Sequence, residues 1–217
     1  MTGIKRIISF DIGIKNLAYC ILENNNIIAI DNISIIPISK PQCCTTCNCK
    51  ASYKTLDGTY CKRHIPKHVL NPPLIVKEKA QKSVPANMIH DGIRQFIGEI
   101  WTLIQSCSIV LIENQPIYNH QMRNVQMILY TALREQYVRN NINTEIRFVN
   151  ARKKTGGKGI TYAKRKELTQ IRAQDILNTL PEYSNKNSIL DKWKNSKKKS
   201  DMADAICMCY DAINHII

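Results

Sequence analysis

The segment Ile4-Lys5-Arg6-Ile7-Ile8-Ser9-Phe10-Asp11-Ile12-Gly13 decides the fold of the chain. Its apolar, largely β-branched residues predict a strand over residues 4–12, and Gly13 permits a tight turn after it. Two more apolar runs, at residues 17–22 and 27–36, follow short turns. Short turns between strands indicate an antiparallel meander.

Beyond the meander, helical and strand patterns alternate. The apolar spacing predicts helices over residues 85–105, 119–139, 162–180 and 201–215, and strands over 108–112 and 144–149. Residues 37–84 lose any apolar period and carry a cysteine cluster, so we expect an insertion there, in a single domain of residues 1–217. The polar stretch 181–199 is predicted to hold no element. This order predicts an α/β fold, a mixed five-stranded sheet flanked by helices.

The charge balance points to a polyanionic partner. The 217 residues include 31 Lys and Arg against 17 Asp and Glu, a formal net charge of +14. Such an excess favours nucleic acid first and an anionic membrane surface second. The sequence has no apolar run long enough to span a membrane and no signal-peptide layout, so we expect an intracellular protein with no membrane partner.

Four acids in three separate segments could form one site. Asp11 lies in an apolar strand, where an acid is costly to bury unless it is paired or binds a cation. Glu113 ends the predicted central strand, and Asp201 and Asp204 lie three residues apart at the start of the last helix, facing the same way. Taken singly, Glu113 also fits an ordinary strand-end acid, and Asp201 fits a residue that complements the helix dipole.

The residue types match metal-dependent phosphodiester hydrolysis. That reaction needs an activated water and stabilisation of the leaving oxygen, and two divalent ions can supply both. Because Mg²⁺ prefers hard oxygen ligands, carboxylates suit it and His or Cys do not. We therefore predict that Asp11, Glu113, Asp201 and Asp204 hold two Mg²⁺ ions, with Mn²⁺ as an alternative.

The inserted segment predicts a structural zinc site. Cys44-x-x-Cys47 and Cys61-x-x-His64 are two paired ligand sets, and zinc takes four such ligands in a tetrahedron. Cys43 or Cys49 could replace Cys44 or Cys47, and His68 could replace His64. The nine cysteines, an odd number with four of them clustered, favour metal binding over a secreted disulfide framework.

Basic segments are candidates for DNA contact. One is a Gly-rich loop with Arg152, Lys153, Lys154 and Lys158, and another is the lysine run that includes Lys198 and Lys199 just before Asp201. A solvated surface is the alternative for any single run, but the net charge favours a DNA channel.

Three motifs together resemble one known family. Asp11-Ile12-Gly13-Ile14-Lys15-Asn16, Ile112-Glu113-Asn114-Gln115-Pro116 and Lys198-Lys199-Ser200-Asp201-Met202-Ala203-Asp204-Ala205 resemble the active-site motifs of RuvC-like Holliday junction resolvases. The resemblance is closest to the branch of poxviruses and other large DNA viruses. It implies a ribonuclease H-like fold, the four acids as catalytic metal ligands, and paired nicks across a four-way DNA junction.

The resemblance also implies partners and a location. It implies a homodimer, with the helix over residues 119–139 at the interface, and it adds Lys15 to the predicted DNA contacts. A viral origin would place the protein in the host cytoplasm or nucleus. The cysteine-rich insertion departs from the compact bacterial pattern.

Other functions remain open at this stage. A non-catalytic, zinc-containing structural DNA-binding protein would bind DNA without metal-dependent cleavage. An RNA-guided or flap- or branch-specific nuclease would share the carboxylates but not the substrate. The actin-like ATPases share a strand ending in Asp-x-Gly, but they require a second phosphate loop that this sequence lacks.

Overall fold

The computed structural model describes residues 6–37, 43–66, 74–75, 84–150, 161–181 and 185–214. The chain divides into two compact units. The larger is formed by Met1–Ile36 and Pro85–Ile217, and the smaller by Pro37–Val84. None of the helices in the described ranges is long and apolar enough to cross a membrane.

The larger unit contains a mixed five-stranded sheet, as the sequence predicts. In chain order its strands are β1 (Arg6–Asp11), β2 (Leu17–Glu23), β3 (Asn26–Ile33), β7 (Ile109–Asn114) and β8 (Glu145–Asn150). Their spatial order is β3-β2-β1-β7-β8. The first three strands form the antiparallel meander, whereas β7 pairs parallel with both β1 and β8.

Five helices accompany the sheet: α1 (Ala86–Ile104), α2 (His120–Arg139), α3 (Tyr162–Asn178), α4 (Lys186–Asn195) and α5 (Lys199–Ile213). Helix α1 covers one face, where Phe96 contacts the rings of Phe10 and Tyr19. Helix α5 crosses the other face, where Ser9 Oγ donates to the Ala205 carbonyl at 2.6 Å. Because side chains alternate along a strand, Ser9 and Asp11 point towards α5 and Phe10 points towards α1.

The structure differs from the prediction at one helix, which the sequence did not predict, and at the start of another helix. Helix α4 lies within the polar stretch 181–199, where no element is predicted. Its sequence carries few apolar residues, but Ile189 and Trp193 lie one turn apart and are both buried. Trp193 Nε1 also donates to Gln174 Oε1 at 2.7 Å. Helix α5 begins at Lys199, two residues earlier than expected, so Asp201 lies inside its first turn.

The smaller unit has more regular structure than the sequence predicts. Short strands β4 (Tyr53–Thr55), β5 (Gly58–Tyr60) and β6 (Leu74–Ile75) form a sheet in the order β5-β4-β6. Thr55 pairs with Gly58 across a tight turn, and Gly58 has a φ of 153°. Strands this short do not produce a readable alternation, which is why the segment shows no apolar period.

Two glycines of α1 should respond oppositely to the same substitution. A Cβ at Gly92 would lie 1.6 Å from the Ile35 carbonyl oxygen, whereas a Cβ at Gly98 would meet nothing within 4 Å. We expect Gly92→Ala to lower the free energy of unfolding by about 3 kcal/mol, since backbone must move. Gly98→Ala should raise it by about 0.5–1 kcal/mol through helix propensity. Urea unfolding of both variants measures the difference, and equal effects would contradict the close packing at Gly92.

Candidate active site

Two of the predicted acids lie at the ends of neighbouring strands. Strands β1 and β7 run parallel with Phe10 opposite Ile112, so Asp11 and Glu113 are the next residues along each strand. The alternation of side chains places both on the face that α5 covers. Asp11 is buried, with 7% of its surface exposed, and Glu113 is half-buried. The sheet register therefore sets these two carboxylates side by side.

Helix α5 brings the other two acids to the same place. Asp201 and Asp204 lie three residues apart near its N-terminus, and their side chains are 19% and 15% exposed. Both line one cavity of about 960 Å³ together with Asp11 and Glu113. The structure thus collects all four predicted carboxylates at one edge of the sheet.

A lysine from α3 bridges the two helix acids. Lys166 Nζ lies 3.3 Å from Asp201 Oδ1 and 3.0 Å from Asp204 Oδ2. Burial acts to lower the pKa of Lys166, but the carboxylates of Asp204, Asp11 and Asp201 outweigh it and raise the pKa above its ordinary value. Lys166 is therefore fully charged and offsets part of the repulsion among the acids.

Removing Lys166 should make the stability of the protein depend on divalent cations. We expect Lys166→Met to lower the free energy of unfolding by about 1.5 kcal/mol without added Mg²⁺, because hydrogen bonds to charged groups are lost. Mg²⁺ should restore most of that loss by taking over the neutralisation. Chemical denaturation with and without Mg²⁺ measures both effects.

Lys164→Met is the matched control for that experiment. Lys164 pairs at 3.0 Å with Glu167 on the surface, where both side chains are more than half exposed. Its loss should cost at most about 0.5 kcal/mol and should not respond to Mg²⁺. A Lys166→Met deficit that Mg²⁺ leaves unchanged would contradict a cation site among the carboxylates.

Side-chain amides hold Glu113 and the loop after it. Gln115 Nε2 donates to Glu113 Oε2 at 3.0 Å, and the Gln115 backbone N–H donates to Gln126 Oε1 at 2.8 Å. Asn114 Nδ2 in turn donates to Asn150 Oδ1 at 2.9 Å. The sequence motif contains Asn114 and Gln115 but does not reveal these roles. Gln126 could have been identified from the sequence, because it is a polar residue on the apolar, buried face of α2.

Arginine and aromatic side chains complete the cavity. Arg165 lines it beside Lys166, and in the part of the chain that the structure describes its Nε is buried without a hydrogen-bond partner. The Tyr162 ring lies 5.9 Å from the Arg165 guanidinium carbon. Tyr118 and Tyr162 are 83% and 68% exposed at the same cavity. In the sequence, Arg165 stands in the basic run Lys164-Arg165-Lys166, and nothing in that run singles it out.

The predicted DNA-contacting lysines are distributed unevenly. Lys15 is exposed in the turn between β1 and β2. Lys198 lines a second cavity, described below, and Lys199 Nζ lies 6.0 Å from the centre of the Trp193 ring. Arg152, Lys153, Lys154 and Lys158 lie outside the described residues.

The smaller unit contains a compact Cys/His cluster. The ligand atoms of Cys44, Cys47, Cys61 and His64 all lie within 4.8 Å of one another. Cys47 Sγ lies 3.8 Å from Cys61 Sγ, and His64 Nδ1 lies 3.7 Å from Cys44 Sγ and 3.6 Å from Cys61 Sγ. A tetrahedron with Zn–S bonds of 2.3 Å places two sulfurs about 3.8 Å apart, so these separations suit zinc.

The surroundings of the cluster favour ionisation of the Cys44 thiol but not of the Cys47 thiol. Although burial opposes ionisation, hydrogen bonds from the backbone of Cys61, Thr46 and Cys47 lower the pKa of the Cys44 thiol to about 5. A backbone hydrogen bond from Cys49 acts to lower the pKa of Cys47, but burial and the neighbouring cysteines raise that pKa to about 12. The alternative ligands Cys43 and Cys49 are exposed and stand outside the cluster, and His68 lies outside the described residues.

The carboxylate site differs from the Cys/His cluster in its ligand chemistry. No Cys or His is found among the described residues that line the larger cavity. Its donors are carboxylate and amide oxygens, the ligands that Mg²⁺ prefers. Among the described residues the Cys/His set alone forms a tight group of potential ligands, whereas the carboxylates surround Lys166. The donor set fits Mg²⁺. Binding requires that the Lys166 ammonium move away from Asp201 and Asp204.

The chain is similar in sequence to a protein of an invertebrate virus. No protein-family model matches the chain. An uncharacterized protein, 97L, of Invertebrate iridescent virus 3 is 26% identical over 212 residues, covering 93% of this chain and 96% of that protein.

The chain is also similar to solved structures, one of which is described as a resolvase. The crystal structure of the yeast mitochondrial Holliday junction resolvase Ydc2 is similar with a TM-score of 0.50 and 17% identity, over 94% of this chain and 76% of that one. T. thermophilus RuvC in complex with Holliday junction substrate gives a TM-score of 0.44 and 11% identity, over 97% of each chain. The likeness to the yeast protein confirms the predicted fold, a mixed five-stranded sheet flanked by helices.

Proposed function

We propose that this chain is a Holliday junction resolvase, a metal-dependent endonuclease that introduces paired nicks in four-way DNA junctions. The observation that carries the proposal is the convergence of Asp11, Glu113, Asp201 and Asp204 in one cavity. Three of these acids are at least four-fifths buried, and Lys166 is the cation that pairs with two of them. Such a cluster is costly unless it binds cations.

The cluster suits phosphodiester hydrolysis better than other metal chemistry. Two bound Mg²⁺ ions would supply an activated water and stabilise the leaving oxygen. The four carboxylates would hold them, Asp11 and Glu113 from the sheet and Asp201 and Asp204 from α5. Because the sheet and a buried helix carry these groups, their spacing is fixed before substrate arrives.

The remaining side chains would position the groups that react. Gln115 orients Glu113 through the hydrogen bond to Oε2. Arg165 lines the cavity, and its guanidinium would donate to a phosphate oxygen of the strand to be cut. Lys166 would balance charge among the acids and then on the phosphate. Exposed Tyr118 and Tyr162 offer rings on which unpaired bases could stack at a branch point.

The choice of a four-way junction as substrate rests on the motifs and the fold. The sequence motifs resemble those of RuvC-like resolvases, and the yeast protein with a similar fold is described as a Holliday junction resolvase. The net charge of +14 supports a polyanionic substrate. The Cys/His cluster would hold a structural zinc, since four protein ligands leave no open position for a substrate.

We further propose a homodimer formed through α2. Met127 and Val138 are 48% and 53% exposed, and eleven residues apart they lie on the same side of the helix. A junction with two-fold symmetry requires two active sites, which a symmetric dimer provides. We expect sedimentation equilibrium to give twice the mass of one chain for the unaltered protein. The Met127→Glu variant should give the mass of a single chain. A single-chain mass for the unaltered protein would contradict this proposal.

Cleavage in the presence and absence of metal tests the proposed activity. The purified protein is incubated with a labelled immobile four-way junction in Mg²⁺, Mn²⁺ or EDTA. We expect nicking in either metal and none in EDTA. Tight binding without cleavage under every condition would instead identify a non-catalytic, zinc-containing structural DNA-binding protein.

A further inference from the structure

A second cavity in the larger unit has the composition of an anion site. It has a volume of about 420 Å³ and is lined by residues of β3, α4 and the start of α5. Lys197 and Lys198 contribute two ammonium groups, and Asn16 and Asn32 contribute amides. Asp31, the acid of this cavity, is bound by Lys192 at 2.6 Å. The cavity therefore presents an excess of positive charge and of hydrogen-bond donors.

One of those donors is unsatisfied. In the part of the chain that the structure describes, the Asn32 Nδ2 atom is buried and has no hydrogen-bond partner. Native proteins rarely leave a buried amide N–H without an acceptor, because its hydration is lost without compensation. Because Asn32 also lines the cavity, a small shift of its side chain would bring this N–H to an oxyanion bound there.

The N-terminus of α5 also favours an anion in this cavity. Lys198 is the N-cap residue of this helix, and its side chain makes no capping hydrogen bond. The first backbone N–H groups of a helix carry a partial positive charge and attract anions. The start of α5, with the two lysines that precede it, and the unsatisfied amide of β3 belong to two segments that meet at one cavity.

The sheet register relates this cavity to the carboxylates. Asp11 pairs with Ala18 on β2, and Ala18 pairs with Asn32 on β3. Residues in one row share a face, so Asn32 lies on the same face as Asp11, two strands and about 10 Å away. Asn16 lines both cavities. A single polymer with regularly spaced anions could therefore occupy both.

We propose that the second cavity binds a backbone phosphate of the DNA strand whose scissile phosphate lies at the carboxylates. The inference rests on the proposed function. Phosphates of one B-DNA strand follow one another about every 3.4 Å along the axis, so the bound phosphate is within about three nucleotides of the scissile one. Asn32, Lys197 and Lys198 are then positioning residues that set which bond reaches the acids.

Single neutral phosphates test the site by binding alone. Junctions carrying one methylphosphonate at successive positions are titrated with Asp11→Asn protein, without added Mg²⁺ or Mn²⁺. We expect one position near the cleavage site to weaken binding about tenfold, because a charge-assisted contact is lost. The same position should have no further effect when Lys197→Ala or Asn32→Asp is added. Lys194→Ala, an exposed lysine of α4 that does not line the cavity, should leave the tenfold effect in place.

The outcomes separate this inference from the proposed function. A methylphosphonate profile unchanged by both Lys197→Ala and Asn32→Asp overturns the phosphate site, whether or not the protein cleaves DNA. Lys197→Ala changes an exposed side chain, so it remains informative if Asn32→Asp fails to fold. Failure of the proposed function shows separately, as absence of metal-dependent cleavage by the unaltered protein.

Discussion

Replacing Asp11 with Asn, or Glu113 with Gln, is expected to lower the rate of junction cleavage at least about a thousandfold while DNA binding survives. Each amide keeps the shape of the acid but loses the charge that holds a cation. Removing one electrostatic group from a preorganised site costs about a hundred- to a thousandfold, and a lost metal ligand should lie at the upper end. Single-turnover cleavage and a gel-shift titration measure the two quantities.

Asp191→Asn provides the matched control for the Asp11 and Glu113 variants. Asp191 is an exposed acid of α4 that does not line the carboxylate cavity. The substitution changes the net charge by the same amount, so it corrects for altered attraction to DNA. An Asp11→Asn protein that cleaves as fast as Asp191→Asn would remove Asp11 from the active site.

Cys61→Ser is expected to abolish zinc binding and unfold the smaller unit. Cys61 Sγ contacts both Cys47 Sγ and His64 Nδ1, so its loss opens the tetrahedron on two edges. Structural zinc contributes about 10–16 kcal/mol in small zinc-binding domains, far more than three short strands could replace. Native mass spectrometry should show one zinc in the unaltered protein and none in the variant, and limited proteolysis should then cut within residues 37–84.

Cys49→Ser distinguishes the two possible ligand sets. Cys49 is exposed and lies outside the cluster, so its variant should keep one zinc and resist proteolysis. Zinc loss in Cys49→Ser but not in Cys61→Ser would contradict the ligand assignment.

The strand pattern predicted much of the fold because it comes from continuous apolar runs. The segment ending at Asp11 and the run ending at Glu113 both read as buried strands, and the structure pairs them in parallel. Helix α4 escaped prediction because only Ile189 and Trp193 mark its buried face. A helix with only two buried side chains leaves little apolar periodicity in the sequence.

The groups around the carboxylates were harder to anticipate than the carboxylates themselves. Lys166 lies 35 residues before Asp201 in the chain. It belongs to the basic run Lys164-Arg165-Lys166, and the sequence does not show which of these side chains contacts an acid. Only the packing of α3 beside α5 shows that this lysine contacts acids. Asn32 carries no sequence signal, because a buried amide without a partner becomes visible only once its surroundings are known.

The most direct test of the central proposal compares a labelled immobile four-way junction with a linear duplex of matched sequence, in Mg²⁺, with nick positions mapped on all four strands. We predict paired nicks at symmetric positions on two opposing strands of the junction and no cutting of the duplex. Equal cutting of both substrates would keep the carboxylate nuclease but contradict its assignment as a junction resolvase.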